Sequence, residues 1–184
     1  MPSLVGSEMC IRDRSILTSL EESDTLALFS NNLDDQIGNL FKIAAKVNLD
    51  LKPIEIGKAN LIKKGDPKVI FLNFGALLHE AKLVADELNL TLIDMRFIKP
   101  LDEEILRTFL TSADLFISLE DGSIAGGAGS AVQEFCSKEN IYIKSKLFGI
   151  PDNFVEHASR EEMIEECGLT SRQILAELEN MMER

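Results

Sequence analysis

From Leu49 onward the apolar positions change their spacing in a regular way, and the spacing predicts the elements. Val69-Ile70-Phe71-Leu72 is an unbroken apolar run, the pattern of a strand covered on both faces. Leu77, Leu78, Ala81, Val84, Ala85 and Leu88 then share one helical face. Leu90 to Asp94 reads as the next strand. Asp102 follows Pro100 as an N-cap and opens a helix with Ile105, Leu106, Phe109 and Leu110 inward. Leu115 to Leu119 is a further buried strand, and Ala131, Val132, Phe135 and Cys136 mark a helix face beyond it. Upstream, Pro53 to Lys63 reads as a lead-in and short strand, closed by a Gly65-Asp66-Pro67 turn.

Ile141 to Leu147 sets Ile141 and Ile143 against Tyr142, Lys144 and Lys146, the alternation of a strand with one wet face at a sheet edge. Two capping boxes follow. Ser159-Arg160-Glu161-Glu162 opens a helix with Met163, Ile164 and Cys167 inward and Gly168 as its stop. Thr170-Ser171-Arg172-Gln173 opens another with Ile174, Leu175, Leu178 and Met181 inward. Repeated strand–helix alternation predicts an α/β fold, a three-layer sandwich around a mostly parallel sheet of about five strands.

Candidate chemistry gathers in LFISLEDGSIAGGAGS, Leu115 to Ser130. A strand runs into Glu120-Asp121, then into a turn with Gly122, Gly126, Gly127 and Gly129, then into a helix. Ligands and partners of open α/β sheets collect at such carboxyl strand ends. Gly126, Gly127 and Gly129 therefore mark either an anion nest at a helix N-terminus or a turn packed so closely that side chains would not fit. The spacing is neither GxGxxG nor a P-loop, and the acidic pair would repel an anion, so packing is the favoured reading. Glu120-Asp121 suits a hydrogen-bonding role at an interface better than cation binding. Arg96 and Lys99, beyond a strand end, suit an anion or acidic groups across an interface. His79 on a helix and His157 in a loop have no Cys or Ser beside them in a nucleophile layout, and Cys136 reads as core.

The chain is 45% hydrophobic and 27% charged, a globular composition. Its net charge of −12 argues against nucleic acid and anionic membrane surfaces as partners. Cys10, Cys136 and Cys167 are odd in number and lack metal-ligand spacing, which with no signal-peptide layout predicts a reducing, cytoplasmic setting. Met1 to Arg14, MPSLVGSEMCIRDR, resembles a translated transposase-type sequencing adapter and is expected to be foreign to the fold. Residues 15–48 read either as the remnant of a truncated upstream domain or as carrying an amphipathic helix over Leu33 to Val47. The domain proper is expected over residues 49–184.

Five stretches, in order, carry a family resemblance: IGKANLIKKGD, VIFLNFGALLHEA, IDMRFIKPLDEEIL, EDGSIAGGAGSAVQEF and LFGIPDNFVEHAS. They resemble the carboxy-terminal third of the 1-deoxy-D-xylulose-5-phosphate synthases, within the transketolase family. The resemblance implies a transketolase C-terminal type fold. It implies a parent enzyme that uses thiamine diphosphate and Mg²⁺ to join pyruvate and glyceraldehyde 3-phosphate with loss of CO₂, feeding isoprenoid and thiamine biosynthesis. In that family the cofactor, its metal and the activating glutamate belong to preceding domains. The arginine-bearing stretch that would precede Leu49 is replaced by NLFKIAAKVN. No catalytic, cofactor or metal residue carries over to this chain, which is expected to be inactive alone. The resemblance also implies partners: the cofactor-binding domains of the same enzyme, and a second copy in a homodimer. A 2-oxoacid dehydrogenase β subunit and a free-standing binding module are the alternatives.

Overall fold

The computed structural model describes residues 54–182. The adapter-like segment, residues 15–48 and the helix expected over Leu33 to Val47 lie outside the described residues.

Five strands form one sheet: β1 (Asn60–Lys63), β2 (Asp66–Phe74), β3 (Leu90–Asp94), β4 (Leu115–Ser123) and β5 (Lys144–Ile150). Their order is β1-β3-β2-β4-β5. β1 runs antiparallel to β3, and every other neighbouring pair is parallel. Among the described residues, five helices flank the sheet: α1 (Leu78–Glu87), α2 (Glu103–Leu110), α3 (Ala128–Lys138), α4 (Arg160–Glu166) and α5 (Ser171–Met182). The result is the expected α/β sandwich with a mostly parallel sheet.

Each strand's alternation feeds two cores, one per sheet face. Val69, Phe71, Leu90, Leu92, Ile117 and Leu119 meet Ala81, Val84 and Ala85 of α1 and Ile174 and Leu178 of α5. Ile70, Leu72, Ile93 and Phe116 meet Leu106 and Leu110 of α2 and Val132, Phe135 and Cys136 of α3. β2 and β4 therefore read as continuous apolar runs because both of their faces are covered.

The caps follow the sequence signals. Asp102 accepts from the Ile105 amide at 3.2 Å and also from the Ala59 amide at 3.0 Å, which ties α2 to the start of β1. Ser159 and Glu162 close a reciprocal capping box on α4. Thr170 and Gln173 do the same before α5, and Glu80 of α1 accepts from the Ser171 amide at 2.7 Å.

Three boundaries differ from the sequence reading. β2 starts at Asp66, inside the expected turn, because Asp66 is held by the Asn89 carbonyl at 2.7 Å. β4 continues through Glu120, Asp121 and Gly122 to Ser123, because β5 runs beside it and Ser123 pairs with Ile150 across a register shift. β5 begins only at Lys144; Ile141 and Ile143 pack against the second core from outside the strand. One inward assignment fails: Met181 on α5 is exposed. On α4 the expected face holds in direction, with Ile164 and Cys167 half-buried against the first core.

Candidate functional site

The organising feature at the carboxyl end of β4 is Glu120. Phe116, Ser118 and Glu120 alternate onto the α3 side of the sheet. The Glu120 side chain is buried, and its carboxylate accepts from the Ala128 amide at 2.7 Å and the Gly129 amide at 3.0 Å. These are first-turn amides of α3, which have no partner inside the helix. A carboxylate there gains two charge-assisted hydrogen bonds and the favourable end of the helix dipole.

The surrounding glycines make room for that carboxylate. A Cβ on Gly127 would collide with Glu120 Oε2 and the Ser123 carbonyl. One on Gly129 would collide with Ser118 Oγ and come within 2.8 Å of Leu147 Cδ2. One on Gly149 of β5 would lie 2.9 Å from Glu120 Cγ and 2.8 Å from the Gly122 carbonyl. Gly126 differs: its φ of +72° requires glycine, and open space surrounds it. The helix end that resembled an anion nest thus holds the chain's own anion.

Neighbouring groups are spoken for in part. Asp121 pairs with Arg160 at 2.9 Å, linking β4 to the first turn of α4. His157 and His79 are exposed. Across the sheet, Asp94 is buried at the end of β3. Asn73 Nδ2 donates to it at 3.4 Å, and Arg96 Nε approaches at 3.6 Å. Burial pushes the Asp94 carboxyl above its ordinary value, against the opposing pull of Asn73 and Arg96. Arg96 has a left-handed backbone, φ 59°, rare for a residue with a long side chain. Lys99 is exposed. Burial also raises the thiol of Cys136, a core residue as expected, so it is held in the un-ionised form.

Sequence reasoning picked out Glu120, Asp121 and the glycines but not their arrangement. The Glu120 bonds span eight and nine residues and exist only once α3 packs on the sheet. The Asn73–Asp94 pair was missed: Asn73 is next to last in β2 and Asp94 last in β3, and the signal was a buried polar residue closing an apolar run. Among the described residues, no group of three or more His, Cys, Asp or Glu side chains is placed to hold a metal, and no helix is long and apolar enough to cross a membrane.

Comparison with known proteins places the arrangement. A 1-deoxy-D-xylulose-5-phosphate synthase from Pseudoalteromonas translucida (strain TAC 125) is 46% identical over 131 residues, 71% of this chain and 21% of its own length. The synthase of Pseudomonas fluorescens (strain Pf0-1) is 46% identical over 140 residues, 76% of this chain and 22% of its own. The chain thus spans about a fifth of the length of the curated relatives it matches. A solved structure described as a split gene transketolase, inactive beta4 tetramer, matches with a TM-score of 0.63 and 29% identity over 69% of this chain and 43% of that one. The family described as transketolase, C-terminal domain, matches residues 57–174, from the lead-in to β1 as far as α5, and the chain belongs to that family.

Proposed function

We propose that this chain is the C-terminal domain of a 1-deoxy-D-xylulose-5-phosphate synthase, and that its work is structural. It braces the cofactor-binding domains and supports the dimer, while those domains carry thiamine diphosphate, Mg²⁺ and the joining of pyruvate to glyceraldehyde 3-phosphate. The observation that carries this reading is the Glu120 lock. The amides of Ala128 and Gly129, the place where a phosphate would sit, are already filled by Glu120. A loop closed on itself suits packing, not cofactor binding. The 46% identity to synthases over most of the domain supports the choice of parent. The family match over residues 57–174 falls within the stretch read as the domain.

The test is a domain exchange. Residues 56–184 replace the matching carboxy-terminal segment of the Pseudoalteromonas translucida synthase, and product formation is followed. The exchanged enzyme should turn over, and the 184-residue chain alone should not. An exchanged enzyme that folds, binds cofactor and makes no product would end the synthase reading.

A further inference from the structure

We propose that the docking face for the cofactor-binding domains is the rim at the carboxyl ends of the parallel strands, running from Ile56 and Ile98 near the β1 edge to Phe154 beyond β5 at the other edge. This rests on the synthase reading above and adds the surface to it.

Three large apolar side chains stand in solvent at this rim: Phe154 is 92% exposed, Ile56 75% and Ile98 43%. The topology puts them at one end of the sheet. β1 is antiparallel, with Asn60 opposite Asp94, so residues just before β1 lie where β3 ends. A Cβ on Gly57 would come within 2.7 Å of Pro100 Cγ, so Ile56 and Ile98 flank a single contact. Phe154 follows four residues after Ile150, the last of β5.

Hydrogen bonds and an ion pair tie the ends of the rim segments to the sheet although the apolar tips are bare. Ile124 donates to the Ile150 carbonyl at 3.0 Å and Asn153 to the Pro151 carbonyl at 2.8 Å, and the Asp121–Arg160 pair and the Ser159 cap fix the far end of the loop. At β3, the Phe97 amide donates to the Met95 carbonyl at 2.6 Å and holds Arg96 in its left-handed turn. Strained backbone of this kind persists where a side chain must be aimed.

The occupant follows from where the chain enters. The backbone joins the described unit at residues 54–59, at this same rim. The family is a C-terminal domain, and its synthase relatives extend about five times further than this match, 21% and 22% of their length being covered. The preceding domains are therefore leashed to this end of the sheet, at about 3.5 Å of reach per linking residue. Charge narrows the partner surface. Arg96, only loosely held by Asp94 at 3.6 Å, and exposed Lys99 offer positive charge beside Ile98 on a chain of net charge −12. The facing surface should carry carboxylates opposite Ile98, and basic groups opposite Asp152 and Glu156 beside Phe154, around apolar contacts.

The test uses the exchanged synthase in three forms: unaltered, Ile98→Asp with Phe154→Asp, and Leu83→Asp. Leu83 is the control, 46% exposed but on α1, away from the rim. The rim variant should lose about tenfold or more in activity and its single melting transition should split in two, with Leu83→Asp close to unaltered. An inactive unaltered exchange defeats the synthase reading itself. An active exchange whose rim variant behaves like the Leu83 control overturns the rim alone. The same substitutions in the 184-residue chain should leave its melting midpoint in place; a fall there assigns these residues to the fold and overturns docking. Sedimentation of that chain gives the last arm: a dimer abolished by the rim variant, with the exchange unaffected, assigns the face to a second copy instead.

Discussion

Glu120 and Gly127 compete for one volume. The Glu120 carboxylate occupies the space that any side chain at Gly127 would need, and it holds the amides of Ala128 and Gly129 from there. Gly127 itself has an ordinary backbone, φ −83°, so its constraint is space and not conformation. Gly126 is the reverse, with φ +72° and nothing near it.

That contrast separates two substitutions of the same size. Gly126→Ala should cost about 1 kcal/mol through backbone strain alone. Gly127→Ala should cost more, about 1–3 kcal/mol, because it overpacks a closed site and pushes a buried carboxylate off its donors. Denaturant melts of the two variants check the order. Equal losses would mean the loop yields and the Glu120 lock is slack.

Asp94 gives a pH signature. Its folded carboxyl is raised above the ordinary 3.8 by burial. Between 3.8 and that raised value the folded state binds more protons than the unfolded chain. The Asp94 contribution is therefore fully present below 3.8 and is lost as pH rises through the folded value. In Asp94→Asn this dependence disappears. The melting difference, wild type minus variant, should shift in favour of wild type as pH falls from neutral toward 4. A difference that stays flat, or moves the other way, would mean that Arg96 and Asn73 outweigh burial at this site.

The legible parts of the fold were those written in local spacing. Val69–Leu72 and Leu90–Asp94 needed only apolar runs, and Asp102, Ser159–Glu162 and Thr170–Gln173 needed only a residue three positions on. What escaped was set by neighbours distant in sequence. Glu120-Asp121-Gly122 has poor strand propensity, and it stays in β4 because β5 lies alongside. The antiparallel setting of β1 depends on its pairing with β3, thirty or so residues later, which no periodicity encodes. Glu120 was readable as an acidic residue beside glycines, and its reach to α3 was not, because two surfaces had to meet first.

The last prediction concerns the cofactor and follows from the same lock. A diphosphate needs free backbone donors or cations, and its metal needs several oxygen ligands. At the glycine loop the two amides best aimed for a phosphate already serve Glu120, and a second anion would face that buried charge at close range. Calorimetric titration of the 184-residue chain with thiamine diphosphate and Mg²⁺ should give no saturable heat. Glu120→Gln sharpens the test. It removes the charge while keeping an acceptor for one amide, so it should cost about 1–3 kcal/mol in stability. If the loop were a true anion site guarded by Glu120, the variant would gain saturable binding of inorganic phosphate. If it is a packing lock, the variant melts earlier and binds nothing, because the space beside Gly127 and Gly149 is filled by the side chain at position 120 itself.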